Sequence, residues 1–518
     1  MEKSGTRCPI LPCIIQVGSD FLKLIMKPYS PAPSNAFSVS ALNKFATQKN
    51  IRPTKSTDFK GNSIIDNFEI TDEFDAAIGH IEAGQQILLI TGQAGTGKSV
   101  FIQYLRSEIK KNCVVVAPTG VAALNVGGQT IHSFFHFPPK PIDLDSIQQV
   151  KNRTLYQKMD VLIIDEISMV RADMLDAIEM FLRKNAHDEK LPFGGVQVVL
   201  IGDLFQLPPV VARQEEAILF GGVYDSEFFF SAHCLKNCSL TFIEFTKVFR
   251  QSEVKFLSLL SNVREGNELP RTIDEINDRC YTDLPPRSDN FPIILTCTNL
   301  SADRTNDFML SKIKEKEQVF EGKLVGRFTI EKEKLPAPYF LKLKPGAQVM
   351  FTKNDSSKRW VNGTIGTVEK ISDDSIVVNI PNHEDYFTHT VQKETWECMK
   401  FMYDYDENKI KTEAIGAYTQ FPLTLAWAVT IHKSQGLTLD NVIVDLGSGA
   451  FASGQVYVAL SRCRSIDNIR LKRPLLEKDI LINPIISRFY AYLRTKPIKA
   501  GASAPSGVST FIFIKGDK

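Results

Sequence analysis

The apolar positions of this chain fall into two kinds of run, and the two kinds alternate. Helical spacing runs from Ile64 to Ile81, through Ile70, Phe74, Ala77 and Ile78, and short unbroken apolar stretches follow at residues 87–90, 113–117, 161–164 and 197–201. Unbroken runs separated by helical pattern predict a parallel sheet covered on both faces, with ligands taken beyond the carboxyl ends of its strands. Residues 229–245 lead out of this unit, and a second apolar set begins at 292–296 and resumes at 428–431 and 442–445. Between its halves, residues 317–414 read as short alternating segments with turns, at 348–351, 363–368 and 375–380, which predict a small antiparallel barrel inserted in the second sheet unit. The expected class is therefore α/β with two parallel-sheet units. The expected division is a loosely structured tail over 1–65, a first unit over 66–240, a second over 241–316 and 415–490, the insertion over 317–414, and a tail over 491–518 whose 497–507 stretch is rich in Gly, Ala, Ser and Pro.

Length agrees with that division, since 518 residues exceed what one core can bury. A composition of 43% hydrophobic and 23% charged residues, with 34 Phe, is that of a folded globular chain rather than a disordered one. The net charge of +2 does not announce a polyanion binder, so any surface for nucleic acid must be a local groove. Nine cysteines are scattered, and Cys234 and Cys238 beside His233 lack a second pair for a metal, so free buried thiols and a reducing, cytoplasmic compartment are expected. The apolar stretch 8–15 is broken by Pro9 and Pro12 and is too short to cross a membrane. The first 60 residues carry more Lys and Arg than Asp and Glu, which fits a loose tail or an organellar leader.

The chemistry is concentrated where apolar runs end. After residues 87–90 comes Gly92-Gln93-Ala94-Gly95-Thr96-Gly97-Lys98-Ser99, followed by Val100 and a predicted helix over 101–109. A glycine loop between a strand and a helix turns its backbone N–H groups inward on phosphates, and the helix start adds its positive end. Lys98 supplies a point charge for the terminal phosphates, and the Ser99 hydroxyl is a ligand for Mg2+. The run 161–164 ends in Asp165, which would share the magnesium shell, and Glu166, which would direct the attacking water as general base. After 197–201, Gln206 offers an amide that can sense a terminal phosphate, with Asp203 placed to orient it. Arg250 and Arg462 fall where a second unit could present guanidinium groups across a cleft, although in isolation either is more often a surface salt-bridge partner. A track for single-stranded nucleic acid is expected along Thr119, His132, Ser133 and Phe134 in the first unit and Thr296, Asn299, Thr430, His432 and Ser434 in the second, with Phe134 or Phe135 as stacking faces unless they are core.

In order, these strings resemble the Pif1-like branch of superfamily 1 DNA helicases, related to RecD-type enzymes. The likeness runs over residues 66–490 through the glycine loop 92–99, Ala-Pro-Thr-Gly-Val-Ala-Ala-Leu-Asn at 117–125, Ile-Asp-Glu-Ile-Ser-Met at 164–169 and Gly-Asp-Leu-Phe-Gln-Leu-Pro-Pro at 202–209. It continues through Val-Phe-Arg-Gln at 248–251, Leu-Lys-Pro-Gly-Ala-Gln-Val-Met at 343–350, His-Lys-Ser-Gln-Gly at 432–436 and Val-Ala-Leu-Ser-Arg at 458–462. The resemblance implies two RecA-like domains, a wedge insertion near 122–150 and an SH3-like insertion near 317–414. It also implies ATP with Mg2+ as cofactors, and 5′ to 3′ movement on single-stranded DNA with separation of duplexes, by a protein that is monomeric or transiently oligomeric on DNA. By the same carry-over Lys98, Gln206, Arg250 and Arg462 grip phosphates, Ser99 and Asp165 hold magnesium, and Glu166 directs water. The family's adenine-contacting Gln is replaced in the aligned segment by Asp75, which accepts but does not donate, so looser discrimination among triphosphates is expected. A DNA-stimulated ATPase that remodels nucleoprotein without unwinding is the alternative. A scaffold with a vestigial site is disfavoured by the intact set Lys98, Ser99, Asp165, Glu166 and Arg462.

Overall fold

The computed structural model describes residues 70–495 apart from 139–141, 212–221, 282–291 and positions 329, 331, 333, 334, 383 and 384, together with the strand Val508–Ile512. The expectations for residues 1–65 and 497–507 lie outside the described residues.

The first lobe is built on β1 (Ile87–Gly92), β2 (Cys113–Ala117), β3 (Gln129–Thr130), β4 (Val161–Ile164), β5 (Gln197–Ile201) and β6 (Ser239–Phe245). These six are parallel, in the order β6, β1, β5, β4, β2, β3. Their unbroken apolar runs follow from burial on both faces. Successive residues of a strand point to opposite faces, and the packing divides accordingly. Leu89, Val116, Leu162 and Leu200 enter one hydrophobic cluster, while Leu88, Val115, Ile163 and Val199 enter another. The helix Asp72–Glu82 covers the second cluster with Phe74, Ala77 and Ile81; Thr71 caps it by accepting from Phe74 N, and Asp72, Glu73 and Asp75 in its first turn favour the positive end.

The second lobe holds β7 (Ile293–Thr296), and the chain then leaves it for β8 (Gln318–Glu321), β9 (Lys323–Gly326), β10 (Phe340–Leu343), β11 (Gln348–Phe351), β12 (Ile365–Ile371), β13 (Ile376–Asn382), β14 (Asp385–Val391), β15 (Glu394–Asp404), β16 (Lys409–Gln420) and β17 (Leu423–Leu425). It returns as β18 (Ala428–Thr430), β19 (Val442–Asp445) and β20 (Ile469–Leu471). The lobe's sheet, ordered β18, β7, β19, β20, is parallel throughout. Finally β21 (Val508–Ile512) runs antiparallel along β6, on the edge of the first-lobe sheet.

The packing shifts several expected limits. β6 pairs with β1 as far as Phe245, so the first sheet extends past residue 240. The helix Pro484–Thr495, expected in part with the second lobe, sends Ile486, Phe489, Tyr490 and Leu493 into the first-lobe cluster. The segment 122–150, expected as a wedge, adds β3 to the edge of the main sheet beside β2, and Ile131, Phe134 and Phe135 enter the first-lobe cluster. The region expected as one small barrel is antiparallel and divided into a five-stranded sheet, a three-stranded sheet and a two-stranded ribbon. Its long β15–β16 hairpin reaches back to the first lobe. Phe401 packs in the first-lobe cluster and its N–H donates to Gln129 Oε1 at 3.1 Å, while Ile410 N donates to Asn112 Oδ1 at 3.0 Å. Among the described residues no helix is long and apolar enough to cross a membrane, and no group of three His, Cys, Asp or Glu is arranged to hold a metal. The described cysteines are free thiols, and Cys238 Sγ donates to the carbonyl of Cys234.

Candidate active site

The site begins with strand order. β5 lies between β1 and β4, so the chain leaves three adjacent parallel strands at the glycine loop, at Gly202-Asp203 and at Asp165-Glu166. Gly95 and Gly97 adopt φ of 85° and 84°, a region open to glycine at no steric cost. At Gly95 space is also closed, since a Cβ would lie 2.6 Å from Arg250 Cβ. Gly97 caps the helix Lys98–Glu108, whose first turn contains no acidic residue. Lys98 Nζ donates to the carbonyls of Gly92 at 2.8 Å and Gln93 at 2.9 Å, and burial lowers its pKa against the opposing pull of Asp203 and Glu166. Ser99 is exposed at the helix start.

The two acids differ in setting. Asp165 is buried, accepts from Glu166 N at 2.9 Å, and is pushed by desolvation to a pKa of about 6. Glu166 stands in the left-handed region at φ 51°, an outlier for a residue with a side chain, and desolvation followed by the nearby Asp165 charge raises it to about 7. Its Oε2 accepts from Gln435 Nε2 at 2.9 Å, and the same amide donates to Gln206 Oε1 at 3.2 Å. Gln206 Nε2 in turn donates to Asp203 Oδ2 at 3.2 Å.

The second lobe closes on this set from several directions. Phe249 N donates to Gly95 O at 2.8 Å, which straps residues 248–251 across the glycine loop. Arg250 Nη1 and Gln251 Nε2 both donate to Ser461 O, at 3.2 and 3.1 Å. Arg462 is only 1% exposed, and its guanidinium donates within its own lobe to Val458 O, Ser434 O, Leu437 O and Ser461 Oγ. Burial, then the Arg250 charge, depress it to about 9, and Glu166 is close enough to pull the other way. On the helix Gln455–Leu460, the Tyr457 phenol accepts from Ala94 N at 2.8 Å and donates to Asp203 Oδ2 at 3.0 Å. Arg264 completes the set by an ion pair to Asp203 Oδ1 at 3.0 Å, both side chains fully buried.

Gln435, Tyr457 and Arg264 are functional candidates to which sequence reasoning assigned no role. Arg264 left a readable signal: Phe256, Leu260 and Arg264 share one helical stripe, and a cation at an apolar position asks for a buried partner. Gln435 stands in the string 432–436 but nothing there reveals its role, and nothing marks Tyr457, because the partners of both lie far away in the chain.

The nucleic-acid candidates divide by strand edge. Ala117 pairs with Thr130 at the carboxyl end of the first sheet, and Thr119, His132 and Ser133 follow at partly buried positions. Thr119 Oγ1 caps its helix by accepting from Ala122 N. In the second sheet Thr296 and Thr430 are register partners at the carboxyl edge; Asn299 is exposed beyond them, and His432 stacks on the 61% exposed Phe451 ring. Ser434 is buried and donates to Ile431 O. Phe134 is 3% exposed and packs edge-on against Phe135, Tyr156 and Phe401, so it stands in the core and presents no stacking face.

Chemically the arrangement suits a nucleoside triphosphate. A glycine loop leading into a helix start, with one lysine beside it, is chemistry suited to phosphates, and Asp165 and Ser99 carry the oxygen ligands that a hard divalent cation would take. Asp75 is exposed on the first turn of its helix.

Known proteins share this organisation. A PIF1-like helicase model matches residues 69–273, and a second helicase model matches 367–492. The ATP-dependent DNA helicase Pif1 of Bdellovibrio bacteriovorus is 34% identical over 440 residues, covering 82% of this chain and 92% of that protein. The human ATP-dependent DNA helicase PIF1 is also 34% identical over 82% of this chain, which spans 64% of the human protein. The crystal structure of Bacteroides sp. Pif1 with ADP-AlF4 matches with a TM-score of 0.74 at 37% identity, covering 83% of this chain and 98% of that one. The single-stranded-DNA complex of Bacteroides Pif1 matches at 0.61 with the same identity and coverage. With the lobes, the glycine loop and the interlobe site already in place, the chain belongs to the PIF1-like helicases.

Proposed function

We propose that this chain is an ATP-dependent DNA helicase that moves 5′ to 3′ along single-stranded DNA and separates duplexes ahead of it through Mg2+-dependent hydrolysis. The observation that carries the reading is Gln435. A second-lobe amide bonds both Glu166 and Gln206, the first-lobe groups assigned to water and to the terminal phosphate, so the reacting end of ATP is read by both lobes. Lys98 and the loop N–H groups hold the phosphates, and Gln206 orients the terminal one. Glu166 takes a proton from the attacking water while the new oxygen–phosphorus bond forms and the bridging bond to ADP breaks. Arg250 and Arg462 offset the developing charge. Magnesium, held by Ser99 and Asp165, would neutralise phosphate oxygens. Closure on ATP and opening on product release would alternate the grip of the Thr119 and Thr430 edges on one strand, giving net movement. The polarity is supported by the family resemblance alone.

A strand-separation assay tests this with 5′-tailed and 3′-tailed duplexes, with and without ATP and magnesium. Separation of the 5′-tailed duplex alone, only with both present, is expected. Separation of the 3′-tailed duplex alone overturns the polarity, and DNA-stimulated hydrolysis without separation of either replaces the helicase reading with a remodelling ATPase.

A further inference from the structure

We propose that Arg264 is a positioning residue of the ATPase, which by holding Asp203 sets the direction in which Gln206 presents its amide to the nucleotide. This rests on the reading of Gln206 as the sensor of the terminal phosphate.

Arg264 projects from the helix Val254–Glu265 into a site with no exposure to water. A guanidinium is tolerated there only if its donors are matched. Nε and Nη2 reach Asp203 Oδ1 at 3.2 and 3.0 Å, Nη2 also reaches Tyr490 Oη at 3.1 Å, and Nη1 reaches Glu265 Oε1 at 3.0 Å. The Phe205 and Tyr490 rings lie 4.4 and 5.2 Å from its centre. That much would serve stability alone.

The second oxygen of Asp203 connects the pair to the chemistry. Oδ2 accepts from Gln206 Nε2 at 3.2 Å and from Tyr457 Oη at 3.0 Å, and the same phenol accepts from Ala94 N in the glycine loop. An amide has one donating and one accepting end. An ionised Asp203 admits only the donating end, which turns Gln206 Oε1 toward Gln435 and leaves one orientation of the sensor. Burial by itself would favour a neutral Asp203, whose O–H could donate to the oxygen of a reversed amide. The Arg264 charge opposes this and holds the carboxyl below its ordinary range. Arg264, Asp203, Gln206, Gln435 and Glu166 thus form a continuous chain from a buried cation to the group that directs water.

Lysine keeps the charge and loses the planar fork, so Arg264→Lys isolates the geometry. The test is a double-mutant cycle on the full chain, with steady-state DNA-stimulated ATP hydrolysis measured for the parent, Arg264→Lys, Gln206→Ala and the double variant well below their melting temperatures. Arg264→Lys is expected to lower kcat by about 10- to 100-fold, the scale of a displaced reacting group, with little change in KM for ATP, and to cause no further loss once Gln206 is already Ala. Multiplicative losses overturn the relay. An unchanged kcat with a lower melting temperature also overturns it, because that is a structural role only. If Gln206→Ala leaves kcat intact, the reading of Gln206 fails and the relay with it, which separates that failure from the previous two. Should Arg264→Lys not fold, the isosteric Asp203→Asn takes its place in the cycle under the same criterion.

Discussion

Glu166 shows how one residue holds both strain and charge. Its left-handed backbone costs on the order of 1–3 kcal/mol and is held by the buried Ile167 and Ser168 that follow. Burial, then the Asp165 charge, push its carboxyl up from an ordinary 4.5 to about 7 in the folded protein. The folded state therefore binds this proton more tightly than the unfolded chain, so the associated stability is present below pH 4.5 and is lost as pH rises through about 7. Glu166→Gln, fixed neutral, is expected to melt higher than the parent above pH 7 and to match it at low pH, with thermal unfolding across a pH series as the check. The same variant should bind ATP and lose turnover, and the acid limb of kcat/KM should disappear with it. The carboxylates were legible from sequence because they end an apolar run. Their raised pKa was not, since it depends on what the other lobe and neighbouring strands cover.

Elements carry constraints that no single side chain reveals. Gly454 caps the helix Gln455–Leu460 at φ 76°, and a Cβ there would lie 2.4 and 2.5 Å from the carbonyls of Phe205 and Gln206. Gly454→Ala should therefore push the Tyr457 helix away from the first lobe and cost at least the roughly 1–2 kcal/mol of a left-handed alanine. A raised KM for ATP with a lowered melting temperature is the expected reading, and an unchanged KM would show that this helix does not set the nucleotide site. The β15–β16 hairpin behaves as an arm, rooted in the insertion and seated on the first lobe by Phe401. Phe401→Ala should cost about 3–5 kcal/mol in chemical denaturation, the usual loss for a buried phenylalanine. Neither contact was readable in advance. Alternation in 394–420 reports strands but not which surface they cross, and Phe134, nominated for DNA, is buried among Phe135 and Tyr156 of its own lobe with Phe401 of the arm against it.

At the scale of the molecule, two parallel sheets, the second interrupted in sequence by antiparallel strands, were legible from the kind and spacing of apolar runs. The order of strands within each sheet was not, because the pairing of β1 with β5 and β6 joins residues more than a hundred positions apart. The same holds for the site. First-lobe members stand in motifs at strand ends, whereas the roles of Gln435, Tyr457 and Arg264 rest on contacts that exist only after both lobes have folded. The central claim is that groups of the second lobe complete the chemistry of a triphosphate held by the first. The most direct measurement compares ATP affinity with DNA-stimulated hydrolysis in Arg462→Ala, after its melting curve has shown a folded protein. The account predicts near-parental ATP binding and a fall in kcat on the order of 10³ or more, the range of an arginine acting on phosphoryl charge. Parental DNA-stimulated turnover in that variant would contradict it.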